Sequence, residues 1–232
     1  PTVSVYKGAT AVAMMNEAGY DIAPLGNHEF DKGRVVLYAM VDASEFKWVC
    51  SNMYDLECNT IKPYTTLNIE GVDITFVGTV STDFKGRPMG GDASYVGFSF
   101  TDDRTTSFEV CQIVAEESDF VVLLSHMGYD TDTRFAEMSP ACDWVAGGHS
   151  HDTVNDAVNG VHISQNRKDV RYVTVADIEV DRGEIVDVKY TQIATEEYAE
   201  DEAVRAMVEE IKARDVELNS VVAHANGYAT KA

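Results

Sequence analysis

Three short apolar runs in this chain each end in a polar segment that carries asparagine or histidine. The segments that follow them are Gly26-Asn27-His28-Glu29-Phe30-Asp31, Ser125-His126-Met127-Gly128 and Gly147-Gly148-His149-Ser150-His151. A strand that ends in a turn and then enters a helix places its last polar side chains at the carboxyl end of a sheet. In open α/β sheets, ligands bind at that edge. The repeated pattern therefore predicts a metal site at one edge of a sheet.

The hydrophobic spacing predicts that helices alternate with strands first and that strands dominate after His151. The expected helices lie at residues 5–18, 32–43, 108–115, 132–138 and 204–211. The expected strands lie at residues 21–25, 46–50, 120–124, 144–146, 161–164, 171–180 and 185–193. Residues 64–69 and 72–80 form a hairpin with a Glu70-Gly71 turn, and residues 85–96 form a loop. One α/β domain fits this order best.

Length and charge narrow the classes of function. A chain of 232 residues can bury a substantial core. Its net charge of −21 argues against binding to nucleic acid or to an anionic membrane, because phosphates would be repelled. If the substrate is itself a phosphate, the site needs cations of its own, and metals would supply them.

Several remaining features carry less information. No apolar run is long enough to span a membrane. The chain opens on Pro1, which looks like a processed or trimmed terminus, so the lack of a signal peptide says little about the compartment. The four cysteines are scattered without a C-x-x-C pair, and a buried free thiol is the expected state of each: Cys50, Cys58, Cys111 and Cys142.

His149-x-His151 is the sharpest single feature. On an extended segment these two side chains would share one face, roughly 6–7 Å apart. The metals of a hydrolytic pair are about 3.5–4 Å apart, so each imidazole could bind a different ion. Taken alone, the H-x-H pair could equally consist of polar loop residues. His126 alone could be an ordinary hydrogen-bonded histidine, and Asn27 alone could be a turn residue. Their coincidence at strand ends favours metal ligands.

His28 and Asp31 are three residues apart at the start of a helical turn, close enough to pair. Asp31 is also a favoured helix N-cap, and the two roles are compatible. His162, inside a strand, and His224, in the tail, are expected to be structural or exposed to solvent.

In this order and spacing, the three motifs resemble those of the calcineurin-like metallophosphoesterases. The continuation Glu29-Phe30-Asp31-x-Gly33 is similar to the branch of 5′-nucleotidases and 2′,3′-cyclic-nucleotide phosphodiesterases. Tyr20-Asp21, Ser51-Asn52 and the hairpin also resemble that branch. The resemblance extends over most of the chain, up to about the last helix.

The resemblance implies a four-layer α/β/β/α sandwich, with a metallophosphoesterase domain at residues 1–217 and a tail or linker at residues 218–232. It implies hydrolysis of nucleotide phosphate esters with two divalent metals and a metal-bound hydroxide. Asn27, His126 and His149 would bind one metal and His151 the other. His28, oriented by Asp31, would face the phosphoryl group and the leaving oxygen. The resemblance also implies an extracytoplasmic location. The ligand set permits Zn, Mn, Fe or Co.

Two motifs of that family, an Asp-x-His and an early Gly-Asp, do not occur here in the expected place. No Asp-x-His is present, and Gly91-Asp92 follows the Asn27-His28 motif instead of preceding it. The expectation is therefore a domain that is incomplete at its N-terminus, binds at most one metal tightly, and is impaired as an enzyme. It is also expected to self-associate or to be poorly stable. The alternatives are a non-catalytic metal- or ligand-binding module on the same fold, or an unrelated zinc hydrolase that uses His149 and His151.

Overall fold

The computed structural model describes residues 6–55, 59–138 and 140–214. The helices among them, numbered in chain order, are α1 (Ala9–Glu17), α2 (Arg34–Ala43), α3 (Asp103–Val114), α4 (Tyr129–Glu137) and α5 (Glu202–Arg214). The first six strands are β1 (Ile22–Pro24), β2 (Lys47–Val49), β3 (Met53–Asp55), β4 (Tyr64–Ile69), β5 (Val72–Val80) and β6 (Phe98–Phe100). The others are β7 (Phe120–His126), β8 (Trp144–Gly147), β9 (Thr153–Val158), β10 (Val161–Asn166), β11 (Tyr172–Asp181) and β12 (Glu184–Ala194).

A six-stranded sheet with the order β4-β5-β7-β8-β10-β9 forms the centre of the fold. Its four inner strands run parallel, and β4 and β9 pair antiparallel at the two edges. The inner strands therefore end at one rim of the sheet. Across this rim Val80 pairs with His126, and Gly147 pairs with Gln165.

Helices α3 and α4 cover one face of the central sheet. Alternate residues of β7 point to opposite faces, as expected for a strand. Val121 and Leu123 pack in the cluster that contains Cys111 of α3 and Phe135 of α4. Phe120 and Val122 pack on the other face, against apolar side chains of the β11–β12 hairpin.

A second pair of helices covers a small parallel sheet made of β1 and β2. Leu37 and Met40 of α2 pack with Val12 of α1 and Trp48 of β2, and Val80 of the central sheet joins the same cluster. The order of layers is thus helices, small sheet, central sheet and helices. This is the four-layer α/β/β/α sandwich that the sequence predicts.

The predicted elements agree with the structure except where the local pattern is weak. α3 begins at Asp103 instead of residue 108, because Asp102 caps it by accepting from the amide of Thr105 at 2.9 Å. α4 begins three residues before the predicted start, after Gly128, whose φ of 92° suits glycine. The unpredicted strands β3 and β6 have only three residues each, and β9 is a polar edge strand.

The contacts between residues divide the chain into two compact units, with the boundary after Tyr198. Helix α5 belongs to the second unit. Asp201 accepts hydrogen bonds from the amides of Ala203 and Val204, which is the expected N-cap arrangement. The predicted boundary at residues 217 and 218 lies outside the described residues, as do His224 and Cys58. Cys50, Cys111 and Cys142 are buried free thiols, as predicted. None of the described helices is long and apolar enough to cross a membrane.

Candidate metal centre

The Asn27-His28 motif lies on a short 3₁₀ helix, Asn27–Phe30, directly after β1. Phe30 anchors this turn, because its side chain is fully buried among aromatic rings. The ring centroids of Tyr95, Phe98 and Phe100 lie 5.4, 5.2 and 5.5 Å from its own. Asn27 is buried as well. The turn therefore holds the motif at the sheet rim.

Asn27 meets His126 although the two residues are 99 positions apart in the chain. Asn27 Oδ1 and His126 Nε2 are 3.1 Å apart. Gly26 makes this approach possible, since a Cβ there would lie 2.9 Å from both His126 Nε2 and Glu29 Oε2. The structure thus brings together the first two predicted metal ligands.

His149 completes this group. Its ring lies edge-on to that of His126, with 4.9 Å between the centroids. Burial, together with smaller contributions from the charges of His149, His28 and His151, lowers the pKa of His126 to about 4. Burial also lowers the pKa of His149, again with contributions from His151 and His28. Four imidazoles therefore share this rim, and two of them are held in the neutral form that binds metals.

His28 and Asp31 form the predicted pair. His28 Nδ1 and Asp31 Oδ2 are 3.0 Å apart, and the His28 side chain is 71% exposed. Asp31 follows the 3₁₀ turn, whereas α2 begins at Arg34 after Gly33, so Asp31 is not the N-cap of that helix. Its carboxylate therefore contacts the His28 ring without capping α2.

The segment that carries His149 and His151 is not extended, so the expectation for this H-x-H pair is wrong in its geometry. The φ angles of the two histidines are 72° and 63°. The amide of Ser150 donates to the carbonyl of Gly148 at 2.9 Å and closes a three-residue turn around His149. Such left-handed conformations at residues other than glycine cost about 1–3 kcal/mol each. Neighbouring groups must stabilise this loop.

Sequence comparison connects this geometry with known proteins. No family model matches the chain. A 5′-nucleotidase of Vibrio cholerae serotype O1 is 27% identical over an aligned length of 270 residues. The alignment covers 92% of this chain and 48% of that protein.

Structural comparison gives the fold. A 5′-nucleotidase precursor from Thermus thermophilus matches with a TM-score of 0.80 at 21% identity, over 95% of this chain and 48% of that one. The calcineurin-like phosphoesterase YfkN from Bacillus subtilis matches with a TM-score of 0.75 at 19% identity, over 94% of this chain and 79% of that one. The chain has the metallophosphoesterase fold of the 5′-nucleotidases. It spans about half the length of the Vibrio and Thermus proteins.

In this metallophosphoesterase fold, the donor spacing fits one ion. Two donors bound to the same ion at about 2.0–2.2 Å are separated by roughly 3.0–3.5 Å. Asn27 Oδ1 and His126 Nε2 have that separation. Among the described residues, however, no three His, Cys, Asp or Glu side chains converge closely enough to hold a metal. The observed contacts are those of His126 with Asn27 and with His149, and His151 lies exposed further along the loop.

Other polar residues of the site are absent from the sequence-based prediction. Glu29 is half-buried, its carboxylate accepts from the amide of Gly26 at 2.7 Å, and desolvation raises its pKa. Its position three residues after Gly26 is a local signal that could have indicated this bond. Ser125, Asp132 and Gln165 form a buried cluster under the His149 loop. Gln165 carries no local sequence signal, since its partners are distant in the chain.

Proposed function

We propose that this chain provides the catalytic face of a metal-dependent phosphoesterase that acts on nucleotides. The observation that carries the proposal is the placement of the Asn27, His126 and His149 donors at the same rim as the His28–Asp31 pair. The similarity to a 5′-nucleotidase over most of this chain supports nucleotides as the substrate class. The fold alone supports a wider range of reactions.

The residues of the chain have separate tasks in this proposal. Asn27, His126 and His149 would hold a divalent ion, and His151 would contact a second one. When bound, such ions activate water and offset the charge of the phosphoryl oxygens. Asp31 accepts from Nδ1 of His28 and fixes the orientation of the ring. The exposed ring of His28 then faces the substrate and stabilises or protonates the leaving oxygen.

Several finer points belong to the same proposal. Zn, Mn, Fe and Co all suit a donor set of imidazole and amide groups. Monoesters and cyclic diesters of nucleotides are both candidate substrates. An anionic substrate fits a chain of net charge −21 only with bound cations. The extracytoplasmic location follows from the family resemblance and remains part of the proposal.

A non-catalytic metal- or ligand-binding module on the same fold is the second candidate. It is favoured by one observation: among the described residues, no three His, Cys, Asp or Glu side chains converge closely enough to hold a metal. The affinity for a divalent ion depends on the number and the charge of its ligands, and a bridging carboxylate would set the spacing of two metals. Tight binding of a ligand without turnover would support this module.

Elemental analysis after dialysis, combined with phosphate release, tests the proposal. The substrates are AMP, 2′,3′-cyclic AMP and a single-stranded oligonucleotide, each with Zn²⁺, Mn²⁺, Fe²⁺ or Co²⁺. We expect at most one tightly bound ion per chain, and turnover of AMP or 2′,3′-cyclic AMP that falls by ~10²–10³ in His28→Ala. Light scattering on the same samples tests the predicted self-association.

The outcomes separate the two candidates. Metal-dependent turnover that His28→Ala leaves undiminished would refute the role of His28. One bound ion without turnover of any substrate would favour the non-catalytic module. Two bound ions with fast turnover would show that the ligand assignment is incomplete. His162→Phe is the matched control, because it removes an imidazole that lies outside the rim.

A further inference from the structure

A buried polar cluster lies between β7, α4 and β10, directly under the loop that carries His149 and His151. It consists of Ser125, Asp132 and Gln165, and we call it the Gln165 cluster. Asp132 is 0% exposed and Gln165 is 1% exposed. The hydroxyl of Ser125 donates to Asp132 Oδ1 at 2.5 Å, and Gln165 Nε2 lies 3.4 Å from Asp132 Oδ2.

Gln165 contacts every second residue of the histidine loop. Its Nε2 donates to the carbonyl of Gly148 at 2.9 Å. Its Oε1 accepts from Ser150 Oγ and from the amide of Asp152, both at 3.1 Å. Residues 148, 150 and 152 are thereby fixed by one side chain, and His149 and His151 alternate with them.

The loop needs this support because both histidines have positive φ angles. Residues other than glycine keep such angles only where the surrounding structure determines them. A second contact comes from α4, whose first residue, Tyr129, donates its amide to Ser150 Oγ at 2.9 Å. Ser150 is therefore bound from two sides, between the two histidines.

The same cluster reaches the His126 side of the rim. Ser125 Oγ accepts from the amide of Met127 at 3.1 Å, so the residues on both sides of His126 belong to the network. Gly147 lies so close that a Cβ at this position would collide with Asp132 Oδ2. Burial raises the pKa of Asp132 to about 7. Burying a carboxyl at this depth costs desolvation free energy that an apolar side chain would not cost. Packing alone therefore does not explain an aspartate at this position.

We propose that Gln165 and Asp132 are positioning residues that set the loop of His149 and His151 relative to His126, so that His149 and His126, from two strand ends, face one ion. The inference deepens the proposed function and rests on it. Neither residue touches the ion or the substrate in this arrangement. They act through the backbone of the loop, as outer partners of metal ligands do.

Gln165→Glu tests this role with almost no change in side-chain shape. It replaces the Nε2 donor by an oxygen that faces the carbonyl of Gly148 and the carboxyl of Asp132. Ser150→Ala is a milder second variant, because Ser150 is exposed and its loss is compatible with folding. Thr75→Val is the matched control, since Thr75 is buried in β5 and its side chain bonds Thr66 and Ser118, away from the loop.

Two readouts follow the loop separately from activity. Imidazole ¹⁵N and ¹³C NMR of the metal-free chain reports the surroundings of the histidines, and calorimetric titration with Mn²⁺ reports the affinity. We expect Gln165→Glu to shift the His149 and His151 resonances and to weaken Mn²⁺ binding by ~10–100-fold. Ser150→Ala should give a several-fold loss, and Thr75→Val should change neither readout.

The outcomes distinguish this inference from the proposed function. Wild-type histidine shifts and wild-type Mn²⁺ affinity in Gln165→Glu would overturn the inference while leaving the proposed function intact. If Gln165→Glu does not fold, unchanged shifts in Ser150→Ala overturn it instead. A wild-type chain that binds no Mn²⁺ would contradict the proposed function, and the NMR shifts alone would then decide whether the cluster positions the loop.

Discussion

The two segments that carry the candidate ligands are organised in opposite ways. Residues 26–31 are held by neighbours, because Glu29 bonds the amide of Gly26 and Asp31 bonds His28, each three positions away. Residues 147–152 are held by Gln165, whose contacts reach 13 to 17 positions back along the chain. The first segment is a locally determined motif. The geometry of the second depends on the packed sheet beneath it.

This difference affects how each segment responds to change. The local segment requires a buried anchor, Phe30, and otherwise stabilises its own turn. The distant loop holds two histidines at positive φ and depends on a buried polar network. In such networks the loss of one partner leaves the other buried and unsatisfied. We therefore expect changes near residues 147–152 to act over longer distances than changes near residues 26–31.

The largest expected effect comes from His126, because it joins the two segments. Its Nε2 meets Asn27 Oδ1, and its ring meets that of His149. His126→Ala should reduce Mn²⁺ affinity by on the order of 100-fold or more, beyond the ~10–100-fold typical of outer partners. Calorimetric titration measures this, with His162→Phe as the control. An unchanged affinity would show that the two segments do not share an ion.

The anchor of the local segment gives the next effect. Phe30→Ala removes a fully buried ring that packs on three other aromatic rings. The free energy of unfolding in urea should fall by about 3–5 kcal/mol. Val35→Ala, at an exposed site on α2, should change it by less than about 0.5 kcal/mol. A loss below about 1 kcal/mol in Phe30→Ala would show that local hydrogen bonds suffice to hold this turn.

For the loop of residues 147–152 we expect a pH effect on the stability of the fold, and this effect arises from Asp132. The pKa of its carboxyl rises from 3.8 to about 7, chiefly through burial; the hydrogen bonds from Ser125 and Gln165 oppose this rise, and the charge of Asp103 adds to it. The folded state thus binds this proton more tightly than the unfolded state does. The contribution of Asp132 to stability is fully present below about pH 4 and is lost as the pH rises through 7.

Asp132→Asn isolates this contribution, because the amide does not titrate and most other groups cancel in the difference. The free energy of unfolding of the wild type minus that of the variant should fall between about pH 4 and 7, by at most about 1.4 kcal/mol per pH unit. Above about pH 7 the difference should be constant. Urea unfolding at several pH values measures it, and a difference that rises with pH would contradict the burial of an uncharged carboxyl.

The sequence predicted most of the fold and the nearest contacts of the site. The run at residues 72–80 indicates a strand through its alternation, and the run at residues 120–124 through its unbroken apolar character. Both patterns reflect burial in the sheet. The pairing of His28 with Asp31 follows from their spacing. The meeting of Asn27 with His126 was expected because both follow the carboxyl ends of strands, although β1 belongs to the small sheet and β7 to the central one.

The loop of residues 147–152 shows where such prediction ends. An H-x-H pattern contains no information about the backbone angles of its two histidines, and the extended geometry assumed for it was wrong. The left-handed turn is stabilised by Gln165, which follows the loop by more than a dozen positions and lies inside an ordinary strand pattern. Contacts of this kind are determined by packing, which no local spacing encodes.

The smallest expected effect concerns His162, which lies on the same strand as Gln165 but outside the site. Its ring stacks on that of Tyr190, with 3.5 Å between the centroids. Its Nε2 is buried and has no hydrogen-bond partner among the described residues. Burial lowers the pKa of the ring, so the imidazole is neutral in the folded chain.

His162→Phe keeps the stacked ring and removes the unsatisfied nitrogen. Leaving such a nitrogen buried without a partner costs about 1–3 kcal/mol. Because the larger ring must also be accommodated, we expect the free energy of unfolding in urea to rise by about 1 kcal/mol or less. Mn²⁺ affinity should not change. A loss of affinity in His162→Phe would mean that β10 acts on the rim as a whole, and the specific contrast between Gln165 and the locally held segment would then fail.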